Sequence, residues 1–294
     1  MYFKQGVFQP PSGHQQDAEH LREWLKAQPH LPHLSDEHLY LFLNSCGYQL
    51  TKTKQTIDNY YTLRTSSPEL FANRNPLLPE VQATLTKHEM IPLRWTTPEG
   101  YRVLLYRMTD HDSGRYDLNA AVKTFCMFND MRMAEDGLCP GYIAIIDVKG
   151  LSFGHLGKFS VTTLKKIVTY LQECQPVILQ AVHLINTSPV IDKLMLLSKP
   201  FIKNEIMQLI KLHQSVEELR AHVPLTHLPE DYGGQYDKAA TVYAKQRTLM
   251  VEYLQWYQQE ESLKVEESKR TGTKHPYLEI SQGVEGSFRK LDID

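Results

Sequence analysis

The sequence predicts an α/β protein in which a small N-terminal helical bundle precedes a mixed sheet with helices packed on it. Segments with helical periodicity fill the first part of the chain. Further along, the apolar strands YIAIIDVKGLS and VILQAVHLIN flank an amphipathic helix, which is the order of a βαβ unit. The segment VIDKLMLLSKPFI then holds more apolar side chains than one helix face can bury. We therefore expect an apolar space beneath it.

The N-terminal helices follow one another closely. The first covers Asp17–Gln28 and ends before a proline-marked loop. The second opens at Ser35, a residue type that caps helices, and stops near Gly47. The third begins around Thr51 and carries apolar side chains toward Arg64. Together they predict a bundle.

The sheet begins after the connector ANRNPLLP. The turn TTPEG separates two apolar runs and predicts a hairpin whose second strand is Arg102–Met108. A helix over Leu118–Met133 precedes the strand that starts at Tyr142. After the sheet, a helix from about Thr241 to Ser268 leads to a tail ending in GSFRKLDID. These elements predict three parts of the chain: an N-terminal helical domain (1–75), a domain built on the sheet (76–240), and a C-terminal helix with a tail (241–294).

Composition narrows the class of protein. Of 294 residues, 41% are hydrophobic and 22% charged, which is typical of a soluble globular protein. The net charge of −2 gives no general attraction to nucleic acid. The N-terminus does not read as a secretory signal, so we expect a cytoplasmic protein. The four cysteines form no C-x-x-C pair, and we expect them reduced, without a metal or another cofactor.

Several segments together resemble one family. They are DEHLYLFLNSCGYQLTKTKQTIDNYYTLR, GYIAIIDVKGLS, VHLINTSPVIDKLMLLSKPFI, LPEDYGG and the terminal GVEGSFRKLDID. In this order they resemble the CRAL-TRIO (Sec14-like) lipid-binding proteins, most of all the members similar to the α-tocopherol transfer protein and the retinaldehyde-binding protein, including insect ones. The resemblance implies a helical bundle followed by a CRAL-TRIO domain whose mixed sheet and flanking helices form an apolar pocket under a mobile lid helix.

The resemblance also implies which residues meet a ligand. The lid would run from Val190 to Ile202. Its inward or hinge-adjacent positions would be Val190, Ile191, Leu194, Leu197, Phe201 and Ile202. On the strand that starts at Tyr142, side chains alternate in direction. Tyr142, Ala144 and Ile146 would face the ligand, whereas Ile143 and Ile145 would pack against helices.

Several other residues could either contact the ligand or belong to the core. Phe125, Met127 and Met131 either line the pocket or fill gaps in the core. Cys126, Tyr142 and His183 are candidates for polar contacts with the ligand. His183 lies in mid-strand, where a core histidine bonded to a neighbour is the alternative.

A membrane surface is the second expected partner. In the tocopherol protein a basic cleft recognises phosphoinositides, and at the matching bundle positions this chain has Leu41, Asn44 and Cys46. The remaining candidates for contact with a membrane or a phosphoinositide are Lys199, Lys203, Met207, Leu209 and Lys211. Lysines of this kind often form an ordinary solvated surface, and burial of the two apolar side chains is an alternative to insertion.

The resulting hypothesis is a monomeric intracellular carrier, peripheral to membranes, that binds a tocopherol, retinoid, carotenoid or similar lipid and exchanges it with membranes. The alternative is an interaction module of the same fold that serves vesicle trafficking. An enzyme is disfavoured because the sequence has no G-x-S-x-G elbow, P-loop or dinucleotide fingerprint. Asp147 with His155 lacks a third catalytic partner. His30 and His33 form an H-x-x-H in a proline-marked loop, a remote metal-site candidate.

Overall fold

The computed structural model describes residues 1–282. The terminal segment 283–294, with the GSFRKLDID tail, lies outside the described residues. The helices are α1 (Gln15–Lys26), α2 (Asp36–Ser45), α3 (Leu50–Ser66), α4 (Pro68–Phe71), α5 (Pro79–Leu85), α6 (Leu118–Asp136), α7 (Phe153–Leu156), α8 (Val161–Thr169), α9 (Pro189–Ser198), α10 (Asn204–Leu209), α11 (Ala239–Glu252), α12 (Leu254–Ser262) and α13 (Tyr277–Gln282). The strands are β1 (His88–Thr96), β2 (Arg102–Met108), β3 (Tyr142–Asp147), β4 (Leu179–Ile185) and β5 (Ile210–Leu212).

The five strands form one mixed sheet in the order β1-β2-β3-β4-β5. The hairpin β1–β2 is antiparallel, and the other three pairs are parallel. Helix α6 connects β2 to β3, helices α7 and α8 connect β3 to β4, and α9 and α10 connect β4 to β5. The predicted α/β class with an N-terminal helical region is confirmed. The short edge strand β5 was not predicted; its residues fall in the stretch that follows the predicted lid.

The bundle helices follow their sequence signals. Ser35 begins α2 as predicted, and its backbone N–H donates to Nδ1 of His38 at 3.3 Å. Helix α3 continues past Arg64 and ends at Ser66. Buried side chains of α1, α2 and α3 form a bundle core that also includes Tyr170 and Cys174 from beyond α8.

The C-terminal part differs from the prediction of one long helix and a tail. The chain forms two helices that meet near Tyr253, and Tyr257 of α12 is fully buried, with its hydroxyl donating to the carbonyl oxygen of Met127 at 3.0 Å. The chain then returns to the bundle, where the guanidinium of Arg270 donates to both carboxylate oxygens of Asp58. The segment after α12 therefore packs against the bundle up to α13.

A buried ion cluster joins the bundle to the sheet domain. Asp130 of α6 is 1% exposed, and its Oδ2 accepts hydrogen bonds from Arg64 of α3, at 2.8 Å, and from Arg74. Arg64 also donates to the hydroxyl of Tyr170 at 3.1 Å. A single carboxylate thus holds the third bundle helix, the connector and α6 together.

We expect Asp130→Ala to destabilise the whole protein. It would leave two buried guanidinium groups without their shared anion, which typically costs about 3–5 kcal/mol. Urea unfolding measures this loss directly. The control is Asp36→Ala, because Asp36 pairs with Arg22 at the surface and is 57% exposed, so its loss should cost only about 0–1 kcal/mol. Equal effects of the two substitutions would contradict the importance given to the cluster.

Candidate functional site

An apolar cavity of about 200 Å³ lies between one face of the sheet and the segment that follows α9. The residues that line it are Leu104, Tyr106, Phe125, Asn129, Met133, Tyr142, Ile143, Ala144, Ile146, Val168, Leu171, Gln172, Gln175, Val177, Leu179, Val182, Ile202, Ile206 and Ile210. None of these lining residues, all within the described part of the chain, carries a charge. The cavity therefore suits a neutral and largely apolar molecule.

Alternating side chains of the central strands form the floor. In the parallel register Leu104 of β2 lies beside Ala144 of β3, and Ala144 lies beside Val182 of β4. Tyr142 and Ile146 flank Ala144 on the same face because strand side chains alternate. The three β3 residues that the resemblance assigned to the ligand thus line the cavity. Ile143 also borders it, which differs from the expectation that Ile143 packs only against helices.

One stripe of α6 forms a wall. Phe125, Asn129 and Met133 recur every four residues, so they project from the same side of the helix. The hydroxyl of Tyr106 donates to Oδ1 of Asn129 at 2.8 Å, and the Asn129 amide donates to the carbonyl oxygen of Phe125. This wall is polar at one point only, and there its groups are already hydrogen-bonded.

The closing segment, which we define as residues 202–210, covers the cavity. Ile202, Ile206 and Ile210 have the same four-residue spacing and all line the cavity. The predicted lid, Val190–Ile202, overlaps the closing segment only at Ile202. Of its six named positions only Ile202 reaches the cavity. The other five, Val190, Ile191, Leu194, Leu197 and Phe201, do not line it.

Helix α9 has a different role from the one predicted for it. It packs against α7 and α8 rather than over the cavity. Val190 and Ile191 of this helix are buried, whereas Leu196 is 63% exposed. The four-residue spacing of Ile202, Ile206 and Ile210 was the signal in the sequence that could have identified the covering residues.

A π-helical turn, Tyr170–Cys174, fastens the closing segment. The side-chain amide of Gln172 donates to the carbonyl oxygen of Phe201 at 2.9 Å and accepts from the backbone N–H of Lys203 at 3.0 Å. These two bonds flank Ile202. Lys203 also lies 3.4 Å from a carboxylate oxygen of Glu173. Gln175, which borders the same cavity, makes no side-chain hydrogen bond within residues 1–282.

Two of the predicted polar contacts lie elsewhere. Cys126 projects from α6 into the bundle core, and burial raises the pKa of its thiol to about 12. His183 lies beside Ile145 in the register, on the face of the sheet opposite to the floor, and its Nδ1 is 2.9 Å from Nε2 of His213. Tyr142 does line the cavity, and burial raises the pKa of its hydroxyl well above 10, so the group stays neutral.

The predicted membrane residues differ in exposure and in their contacts. Lys199 and Lys211 are exposed, Lys203 pairs with Glu173, and Met207 and Leu209 are only partly exposed on α10. The bundle positions matched to the basic cleft do not form a surface. Leu41 and Cys46 are buried, and the Asn44 amide donates to the carbonyl oxygen of Cys139.

The two residues of the candidate catalytic pair, and those of the candidate metal pair, have different surroundings. The carboxylate of Asp147 accepts hydrogen bonds from Asn186, Lys149 and Tyr232, while Nδ1 of His155 is bonded to Ser152. His30 is buried beside Asp58, 3.5 Å away, whereas its neighbour in the motif, His33, is exposed. No helix within residues 1–282 has the length and apolarity to cross a membrane.

A smaller cavity of about 110 Å³ adjoins the first and shares Tyr106, Phe125 and Ile146 with it. The rings of Tyr106 and Phe125 lie 5.1 Å apart between the two spaces. Sites that enclose drug-sized ligands usually measure roughly 300–1,000 Å³. We therefore expect a ligand to need either movement of these rings or an outward shift of the closing segment.

The chain is similar to known proteins in sequence and in fold. A family model described as a CRAL/TRIO domain matches residues 86–234, and one described as a Pinta-like UBA domain matches residues 11–81. Curated relatives named alpha-tocopherol transfer protein-like are 27% identical over 228 residues in Mus musculus and 26% in Homo sapiens, covering 76% of this chain. The match spans 66% of those relatives' own length. The crystal structure of Sfh5 shares the fold with a TM-score of 0.53 at 11% identity, covering 86% of this chain and 99% of that one.

We expect Gln172→Ala to loosen the closing segment. It removes two hydrogen bonds at about 1 kcal/mol each, so opening should become roughly 30-fold more frequent. Hydrogen exchange measured by mass spectrometry would report faster exchange in residues 202–210. The control is Gln175→Ala, because Gln175 borders the same cavity without a side-chain hydrogen bond. Unchanged exchange in the first variant, or equal acceleration in both, would contradict the role of Gln172.

Proposed function

The chain is a member of the CRAL/TRIO family, and on that premise we propose that it is an intracellular carrier which binds one neutral, hydrophobic lipid in the cavity under the closing segment. The observation that carries the proposal is the cavity lining, in which apolar side chains predominate and no charged side chain is present among the described residues. Tocopherols, retinoids, carotenoids and similar lipids fit this chemistry.

Energetics favour exchange with a membrane over release into water. A ligand that hides about 400 Å² of apolar surface gains on the order of 10 kcal/mol at roughly 25 cal/mol per Å². Release into water would forfeit that gain, whereas a bilayer offers an equally apolar environment. We therefore propose that the closing segment opens at a membrane surface and that the protein performs no chemistry on its ligand.

Exposed apolar side chains mark the surface for this contact. Leu196 on α9 is 63% exposed, Phe153 on α7 48% and Val161 on α8 37%, and α9 packs against both other helices. Helix α9, which carries Leu196, precedes the closing segment in the chain. We propose this surface as the membrane contact of a cytoplasmic, monomeric protein. Lys199, Lys203 and Lys211 are further candidates for this contact.

Organic extraction of the purified protein followed by mass spectrometry tests the carrier function. We expect about one equivalent of a single lipid class. An empty extract, together with failure to bind added tocopherol and retinoid, would favour the trafficking module instead.

We expect Ala144→Phe to abolish ligand binding without unfolding the protein. The phenyl ring would occupy the floor of the cavity, and ligand content should fall by at least about tenfold, since exclusion costs more than 1.4 kcal/mol. The control is Ala83→Phe, which adds the same ring at an exposed position of α5. Retained ligand in the folded Ala144 variant would place the ligand elsewhere.

We expect Leu196→Glu to slow transfer between vesicles while leaving the bound lipid in place. A fully inserted leucine contributes about 1.5–3 kcal/mol, so the rate should fall by about tenfold or more. Leu77→Glu is the matched control, because Leu77 is 54% exposed in the connector. Vesicles with and without phosphoinositide should be compared. Unchanged transfer by the Leu196 variant would contradict the proposed contact surface.

A further inference from the structure

Three histidines converge on the face of the sheet opposite to the cavity. His183 lies in β4, His213 directly follows β5, and His222 follows a short 3₁₀ helix, Glu217–Ala221. One ring nitrogen of each lies within 4.8 Å of the others. Within residues 1–282 this is the one group of three or more His, Cys, Asp or Glu side chains that are close enough to share an ion.

The hydrogen bonds of this cluster leave ring nitrogens without partners among the described residues. His183 is 2% exposed and His213 is 6% exposed. Their rings share one hydrogen bond, between Nδ1 of His183 and Nε2 of His213 at 2.9 Å. Two neutral imidazoles contain two N–H donors and two acceptor nitrogens, so a single bond uses one of each. The other nitrogen of each ring has no hydrogen-bond partner within residues 1–282.

We propose that His183, His213 and His222 form a binding site for a divalent cation that prefers imidazole ligands, with Zn²⁺ as the leading candidate. Three histidines with water in a fourth position are an established donor set for this ion. Zn–N bonds of about 2.0–2.1 Å place tetrahedral ligand atoms about 3.3 Å apart. The buried pair is already near that separation. The exposed His222 supplies the remaining movement and leaves an opening for water.

The surroundings leave the buried rings neutral. Burial, with His222 and His213 beside it, lowers the pKa of His183 to about 4, and burial with His222 lowers the pKa of His213. Lys211 also acts on His183, and Glu218 acts on His213 in the opposite sense. Neutral imidazoles have a lone pair to donate. Binding would replace the hydrogen bond of the pair, with the bonding proton of one ring moving to that ring's other nitrogen.

The position of the site connects it to the cavity cover. The backbone N–H of His213 donates to the carbonyl oxygen of Leu184 at 2.8 Å, and its carbonyl accepts from the backbone N–H of Thr187. His213 therefore anchors the chain three residues after Ile210, the last residue of the closing segment. A bound ion would fasten this anchor to β4 and to residue 222. The site is independent of which lipid the cavity accepts.

Metal titration of the full chain tests the proposal. The protein is first treated with a chelator. CoCl₂ is then added while the visible absorption of four-coordinate Co²⁺ is recorded, and ZnCl₂ affinity is measured by calorimetry. We expect one equivalent of either ion. His222→Gln should weaken binding by at least about tenfold, since even loss of a group that supports a ligand costs about 10–100-fold. His20→Gln, at an exposed position of α1, should bind like the unmodified chain.

Thermal unfolding adds a second readout. Zn²⁺ should raise the midpoint of the unmodified chain and of the His20 variant, because an ion that binds only the folded state stabilises it. Zn²⁺ should raise the midpoint of thermal unfolding of His222→Gln much less. Absence of stoichiometric binding, or equal affinity in the His222 and His20 variants, would overturn the site. His222 is exposed, so a folding defect would not obscure the result.

Discussion

The shared carboxylate of Asp130 is the constraint on which the arrangement of the molecule depends. Burial of an ion costs several kcal/mol, and here two guanidinium groups and one carboxylate are buried together. Burial of these three charged groups is energetically acceptable only while all three remain paired. Because the partners come from α3, the connector and α6, the bundle cannot shift relative to the sheet domain without separating them. The bundle is therefore part of the cavity's support.

Helix α6 conveys this constraint to the cavity. Asp130 and Cys126 face the bundle, while Phe125, Asn129 and Met133 face the cavity. Fixing one side of the helix fixes the other. The cavity itself is a cost, since about 200 Å³ of unfilled space at roughly 24 cal/mol per Å³ forfeits about 5 kcal/mol of packing. A ligand would restore those contacts, which is a further reason for tight retention.

The sequence predicted the fold class, the β1–β2 hairpin and residues of the cavity floor, since these follow from periodicity and from family resemblance. Ala144 and Ile146 could be assigned because the family resemblance indicated which face meets the ligand and because strand side chains alternate. The cover could not be placed in the same way. The run from Val190 to Phe201 is rich in apolar residues, and apolarity alone does not tell whether a side chain meets α7 and α8 or the cavity. Gln172 escaped notice because its role depends on contacts with residues 201 and 203, distant in sequence. The three histidines are likewise brought together only by the fold.

Neighbouring residues of strand β4 contribute to different sites on the two faces of the sheet. Val182 belongs to the apolar floor and His183 to the histidine cluster, one residue apart but separated by the backbone of the strand. A slip of one residue would exchange the two faces. Insertions and deletions in β4 should therefore be excluded during evolution, even where substitutions are accepted. Related chains can vary the ligand by exchanging floor residues, but only with the length of this strand unchanged.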